Sequence, residues 1–202
     1  MDKQSVVHRN DKRSVQVKRL FDIILALLLF LLFGIPMLLI ALLVKVTSKG
    51  PVLFWSDRIG KDNTIFKMPK FRTMQMETPM VATHLLTSPD QYLTSVGNIL
   101  RKFSLDELPQ LVSVLKGDMS FVGPRPALYN QDDLIELRTK KGIHKLVPGI
   151  TGWAQVNGRD DLPIPVKVEF DEYYLKHRSL ALDLRTLFLT FSRVLNSKGV
   201  QH

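Results

Sequence analysis

The feature that most constrains this chain is an uncharged run of 22 residues, Ile23 to Val44, broken only by Gly34 and Pro36 among hydrophobic residues. As a helix rising about 1.5 Å per residue it reaches about 33 Å. The hydrocarbon core of a bilayer is about 30 Å thick, so lipid is the natural surrounding for such a run. A secretory signal is a poor alternative. The run is too long for its apolar core, and Lys45-Val46-Thr47-Ser48-Lys49 makes a poor cleavage site. The whole chain has 202 residues, is 45% hydrophobic and carries a formal charge of +9. Enough apolar residues remain outside the run to bury a core, which excludes disorder. The absence of cysteine excludes a disulfide framework and a thiolate-bound metal, and fits a reducing compartment.

Gly34-Ile35-Pro36 stands near the middle of the run. A proline lacks the N–H of a helical residue and its ring crowds the preceding turn, so a kink is expected there. It would divide the run into Ile23–Phe33 and Met37–Val44. Basic residues flank both ends: Lys3, Arg9, Lys12, Arg13, Lys18 and Arg19 before it, and Lys45, Lys49, Arg58, Lys61 and Lys67 after it. Cytoplasmic flanks carry the Lys/Arg excess. A spanning helix would put one basic flank outside, whereas a re-entrant helix–break–helix keeps both inside. Length favours the first and charge the second, and the residues alone leave both open.

The expected division is a basic tail over 1–19, drawn to anionic lipid, a membrane element over 20–47, and a domain over 48–202. In that domain Val52 to Trp55 and Ile65 to Met68 read as strands of a hairpin around a turn at Gly60 to Thr64. Residues 75–91 read as loop or short helix, with Pro79 and Pro89 as breakers. Helices are expected over Thr94–Lys102, Leu105–Leu115 closed by Gly117, Leu128–Lys141 and Val166–His177. Leu180, Leu184, Leu187, Phe188, Phe191, Val194 and Leu195 then form one apolar stripe, with Asp183, Arg185, Ser192 and Arg193 off it. That stripe can pack on a core or lie in a membrane interface. The fold class is α/β and mostly helical.

The densest chemistry is Ser104-Leu105-Asp106-Glu107-Leu108-Pro109-Gln110-Leu111. Ser104 and Glu107 fit a capping box, a purely structural role. The same geometry sets Asp106 at a helix start, where a carboxylate can hold Mg²⁺ or attack phosphorus. Adjacent helical side chains diverge by about 100°, so the pair does not resemble the facing carboxylates of a glycosidase. Gly123-Pro124-Arg125-Pro126 restricts the backbone around one arginine, either as a rigid connector or as a preset anion clamp. Lys70-Phe71-Arg72-Thr73-Met74 sets two cations around an aromatic, a weak signal by itself. Pro148 to Arg159 is glycine-rich, which means a tight bend or a close approach. It is neither a Walker loop nor a dinucleotide fingerprint. The histidines show no metal-ligand spacing.

Taken in order, Lys18-Arg19-x-Phe21-Asp22, Ser48-x-Gly50-Pro51-Val52, Asp57-Arg58-x-Gly60, Lys70 to Met74, Ser104 to Leu111, Leu115 to Pro126 and Pro148 to Arg159 closely resemble the bacterial sugar transferases called monotopic phosphoglycosyl transferases. The resemblance runs from Lys18 to Leu195. It implies the minimal catalytic form, a re-entrant helix broken at Gly34 and Pro36, and interfacial amphipathic helices around a compact catalytic region. Relatives often have Ser-Pro at the break, where this chain has Ile35-Pro36. The implied location is the cytoplasmic face of the bacterial inner membrane.

The implied reaction moves a phospho-sugar from a UDP-sugar to polyprenol (undecaprenyl) phosphate and releases UMP, as the first membrane step of glycoconjugate assembly. By the same resemblance Asp106 attacks the β-phosphorus and forms a covalent intermediate. Glu107 assists, through Mg²⁺ or by activating the lipid phosphate, and both carboxylates are candidate Mg²⁺ ligands. Lys70, Arg72, Arg101 and Arg125 are expected around the phosphates, with Arg159 and Asp171 towards the nucleotide sugar. A homo-oligomer and downstream glycosyltransferases are the further partners it leaves open. A non-catalytic, membrane-anchored adaptor would explain the charge and the apolar run, but not the order of the motifs. Nucleic acid is not an expected partner: the basic residues are spread along the chain and no nucleic-acid motif occurs.

Overall fold

The computed structural model describes residues 3–78, 89–158 and 162–195. The first element, α1 (Lys3–Thr47), is one uninterrupted helix of 45 residues with Pro36 inside it. Two expectations change here. The basic segment is helical and continuous with the apolar helix rather than a separate tail. Gly34-Ile35-Pro36 also does not end the helix. A proline costs the bond to one carbonyl, and the turns on either side keep theirs. A Cβ at Gly34 would meet nothing within 4 Å, so this glycine is not there for close packing.

Helix α1 is tied down at both ends and bare between them. Near its start Lys18 Nζ lies 2.6 Å from Asp183, and the Arg19 guanidinium donates to the Val114 and Leu115 carbonyls at 2.6 and 2.7 Å. Buried Asp22 accepts the Phe121 N–H at 3.2 Å, and Ala26 is fully enclosed in the main core. Near its end Ile40 and Val44 pack with Phe71 and Leu100 in a second cluster. Between these anchors Leu31, Ile35 and Leu38 are 85%, 72% and 72% exposed.

Strands β1 (Leu53–Ile59) and β2 (Ile65–Phe71) form the expected antiparallel hairpin, with Phe54 opposite Lys70 and Asp57 opposite Lys67. Both run further than the apolar residues alone imply. The Asp57–Lys67 pair, 3.1 Å apart, carries the ladder through its charged stretch. The hairpin loop is a 3-10 turn in which Asp62 and Asn63 take positive φ, as short polar residues do. Among the residues read as loop over 75–91, 79–88, with Pro79, lie outside the described residues, and Pro89 opens a 3-10 turn.

Helix α2 (Gly97–Lys102) is followed by a 3-10 segment, Leu105–Gln110, and then α3 (Leu111–Lys116). Gly117, at φ +96°, closes α3 as its left-handed terminal residue, and the Arg19 guanidinium sits against it. The parallel pair β3 (Ser120–Val122) and β4 (Gly149–Thr151) is absent from the sequence reading. It explains the glycine-rich stretch. A Cβ at Gly149 would stand 2.1 Å from the Gly123 nitrogen, and one at Gly152 would stand 2.1 Å from the Gly123 carbonyl oxygen. The close approach required there is to the chain's own backbone.

Helices α4 (Asp132–Lys140), α5 (Trp153–Gly158), α6 (Ile164–His177) and α7 (Leu180–Leu195) complete the fold. The main core joins α1, α3, β3, α4 and α6 through Ala26, Leu111, Val114, Val122, Leu134 and Val168. Helix α7 inverts the usual rule. Asp183 and Thr186 are buried and Thr190 reaches Thr151 at 2.8 Å, while Leu184, Phe188 and Phe191 are 49%, 70% and 63% exposed. Of the apolar stripe, Leu187 packs on the core, whereas Leu180, Leu184, Phe188 and Phe191 are exposed. Core packing by the whole stripe is thereby corrected. Leu182 and Leu187 pack on the core, but elsewhere the inner face is polar, where it meets Lys18, Tyr174 and Thr151.

Candidate active site

Asp106 and Glu107 lie in the 3-10 segment between α2 and α3. The segment starts abruptly because Ser104 has left-handed backbone angles, φ +54° and ψ +24°. Its N–H completes α2 by bonding the Arg101 carbonyl at 2.9 Å. The expected capping box does not form: the Ser104 side chain caps nothing, and Glu107 points elsewhere. In a tight 3-10 turn, closed by Pro109, the two carboxylates are released from helix capping and face the hairpin and the Gly-Pro-Arg-Pro loop.

Glu107 Oε1 accepts from Lys70 Nζ at 2.7 Å and from Arg125 Nη2 at 3.2 Å. Burial acts to raise its pKa, but those two cations outweigh it and hold the carboxyl well below the usual range. Asp106 is 7% exposed, with Lys70 Nζ at 3.8 Å. Burial is the main cause that pushes its pKa up to about 6; Glu107 adds to it, and Lys70, Arg101 and Arg125 oppose it. One cationic set thus serves two unequal acids: Glu107 is firmly ionised, and Asp106 is a poorly solvated carboxylate. A desolvated, under-compensated carboxylate is a better nucleophile than one bound to two cations.

Arg101 donates from Nε to Thr73 Oγ1 at 2.9 Å, and its Nη1 is buried without a hydrogen-bond partner. An unpaired buried guanidinium N–H is costly, and an oxygen anion is its natural acceptor. Lys70, Arg101 and Arg125, taken from β2, α2 and the loop after β3, thus all lie around the two carboxylates.

Two other residues do not join them. Arg72 is buried and turned the other way, with its guanidinium on the Lys49 carbonyl and, at 3.0 and 2.8 Å, on the Ser48 carbonyl and hydroxyl. It closes the C-terminal end of α1. Asp171 is 1% exposed and accepts from Arg138 Nε and Nη2 at 2.9 and 2.6 Å. It is enclosed in the fold as the partner of Arg138. Arg159 lies outside the described residues. Sequence reasoning missed Thr73 and Arg138. Arg138 had one usable signal: it lies four residues after Leu134, so the two share the buried face of α4.

The residues from 13 to 197 match the family model of the bacterial sugar transferases. The chain belongs to this family. It is 43% identical over 188 residues to the uncharacterised sugar transferase EpsL of Bacillus subtilis, covering 92% of this chain and 90% of that one. It is 46% identical over 184 residues to the UDP-glucose:undecaprenyl-phosphate glucose-1-phosphate transferase of Escherichia coli, covering 86% of this chain but 39% of that protein. The undecaprenyl-phosphate galactose phosphotransferase of Salmonella typhimurium is 38% identical over 206 residues, 93% of this chain and 42% of its own. The chain thus spans about two fifths of these two larger relatives. As a bacterial sugar transferase it is an enzyme of the sugar-phosphate transferase class.

Proposed function

We propose that this enzyme transfers a phospho-sugar from a UDP-sugar to a polyprenol phosphate in the membrane and releases UMP. Such a transfer is the first membrane step in assembling a lipid-linked glycan. The observation that carries the reading is the buried Asp106–Glu107 pair inside a ring of Lys70, Arg101 and Arg125. It fits a reaction in which both substrates are phosphate anions. The relatives' names point to the same lipid acceptor.

In the proposed sequence an Asp106 carboxylate oxygen attacks the β-phosphorus. The phosphorus–oxygen bond to UMP breaks, and UMP leaves with the bridging oxygen. An oxygen of the lipid phosphate then attacks the acyl-phosphate phosphorus. The Asp106 carboxylate is expelled unchanged and polyprenyl-diphospho-sugar is formed. Attack by an anion on an anion needs preset positive charge, which the three cations provide. Glu107 holds Lys70 and Arg125 at the working distance and adds a second carboxylate.

The donor set also fits Mg²⁺, which is commonly held by one or two carboxylates together with substrate phosphates. Among the described residues no group of three His, Cys, Asp or Glu is gathered for a metal, so Asp106 and Glu107 would share the ion with the diphosphate. The ion would supply charge neutralisation at the phosphates.

The membrane reading has two supports. Helix α1 is long and apolar enough to cross a bilayer, with 11% of its apolar window buried. Yet Asp22 and Val44, at the two ends of its uncharged run, are both built into one folded body. A helix that crossed the bilayer would carry those ends to opposite faces. A re-entrant α1, with the outward stripe of α7 in the same interface, keeps the body on one side. The side with the nucleotide sugar is the cytoplasm.

The test is UMP release across a panel of UDP-sugars with undecaprenyl phosphate, in Mg²⁺ and in EDTA. Metal-dependent release from at least one donor is expected. No release from any donor would leave a membrane-anchored adaptor as the better reading.

A further inference from the structure

The loop that presents Arg125 has four successive carbonyls, each bonded by a donor from elsewhere in the fold. Pro124 O accepts the Gly149 N–H at 3.0 Å and Ala127 O the Ile59 N–H at 3.0 Å. Between them, Arg125 O accepts from Arg138 Nη1 at 2.8 Å and Pro126 O from Arg58 Nη1 at 3.2 Å. Pro124 and Pro126 have fixed φ and no N–H to offer. Two guanidinium groups, from α4 and β1, therefore grip the peptide units on which the Arg125 side chain is mounted.

Both grips are themselves held. Arg138 is 8% exposed, and its Nε and Nη2 donate to Asp171, leaving Nη1 for the Arg125 carbonyl. Arg58 Nε donates to the buried Ser56 hydroxyl at 3.0 Å. Water could have bonded a surface carbonyl at little cost, whereas a buried ion pair is a costly substitute. What the arrangement adds is direction: the loop sends the Arg125 guanidinium to Glu107.

We propose that Arg138, locked by Asp171, and Arg58 are positioning residues for Arg125. They fix the backbone from which its guanidinium reaches Glu107 and a bound phosphate, and they do not touch the substrate themselves. The proposal rests on the transferase reading of the Glu107–Arg125 site.

A double-mutant cycle on the full chain in detergent or nanodiscs tests it. Arg138→Lys keeps a cation for Asp171 but loses the planar fork that serves Asp171 and the Arg125 carbonyl together. It is expected to lower kcat/KM about 10- to 100-fold, as misplacement of a binding group does. Arg125→Ala lowers it at least as far. The decisive result is the pair: Arg138→Lys in an Arg125→Ala background adds no further loss. Multiplying losses, or an unchanged rate in Arg138→Lys, would overturn the proposal. Where Arg138→Lys does not fold, half-buried Arg58→Lys enters the same cycle with the same outcomes. If the wild type releases UMP from no donor, the transferase reading fails on its own. Positioning is then decided by the Nε–Hε NMR signal of Arg125 in arginine-labelled protein. A shift or broadening in Arg138→Lys or Arg58→Lys supports it, and a signal identical to the wild type's overturns it.

Discussion

Around Asp106 and Glu107, charged groups lie inside and are held by other charged groups. Along the middle of α1 and the outer side of α7, large apolar groups lie outside and exposed. An ordinary water-soluble domain permits neither arrangement at this scale. Isolated buried carboxylates are expensive unless cations surround them, and contiguous exposed apolar faces mark contact with lipid or protein. The difference fits the proposed reading, in which the chain has two surroundings to satisfy. In it the cations gather phosphate anions, and α1 and α7 present hydrocarbon to lipid.

The sharpest way to break the comparison is Asp106→Asn. It should lower UMP release by about 10⁴-fold or more, the scale on which removal of a nucleophile acts. Flotation with liposomes should be unchanged. A variant that keeps full activity would end the covalent mechanism. Glu107→Gln comes next. Neutralising it releases Lys70 and Arg125 from their common acceptor, so kcat should drop about 10²- to 10³-fold. Steady-state rates against both substrates check this.

The pH profile reads the same pair without mutation. With the Asp106 pKa raised to about 6, the nucleophile is lost by protonation as pH falls through that value. The rate should drop about tenfold per unit below it. Unfolding through these groups does not account for that limb. A raised carboxyl pKa makes the folded state relatively more stable as pH falls from the folded towards the unfolded value. The depressed Glu107 pKa contributes stability that is fully present above its unfolded value and is lost only in stronger acid. A thermal midpoint that holds or rises between about pH 7 and 5 while the rate falls is the expected result.

The smallest effect belongs to the other region. Phe188→Asp, at a site 70% exposed, removes about 1.5–3 kcal/mol of apolar contact with lipid and should weaken liposome partitioning about tenfold or more. Its thermal midpoint in detergent should stay near that of the wild type. Thr186→Asp, on the fully buried side of the same helix, should instead unfold the protein. Equal behaviour of the two would refute the inverted orientation of α7.

Much of the site was legible because its motifs are short and local. Asp106 and Glu107 are adjacent, and Lys70, Arg101 and Arg125 stand inside recognisable segments. Arg72 was expected beside these cations and Asp171 towards the nucleotide sugar, yet they serve α1 and Arg138. A guanidinium or carboxylate is chemically the same wherever it stands, and its partner decides its role. The capping box failed for a related reason. The spacing of Ser104 and Glu107 was right, but the end of α2 put Ser104 in the left-handed region.

By itself the sequence determined the existence of a long apolar helix, the hairpin, the closing of α3 at Gly117 and the two adjacent carboxylates. Each depends on local composition or on backbone preferences that neighbours along the chain express. Only the tertiary structure decided which side of α7 faces inward, that Gly149 and Gly152 lie against Gly123, and that Arg58 and Arg138 meet at the Arg125 loop. Those results depend on contacts between residues far apart in the chain, where packing and partner choice override local preference.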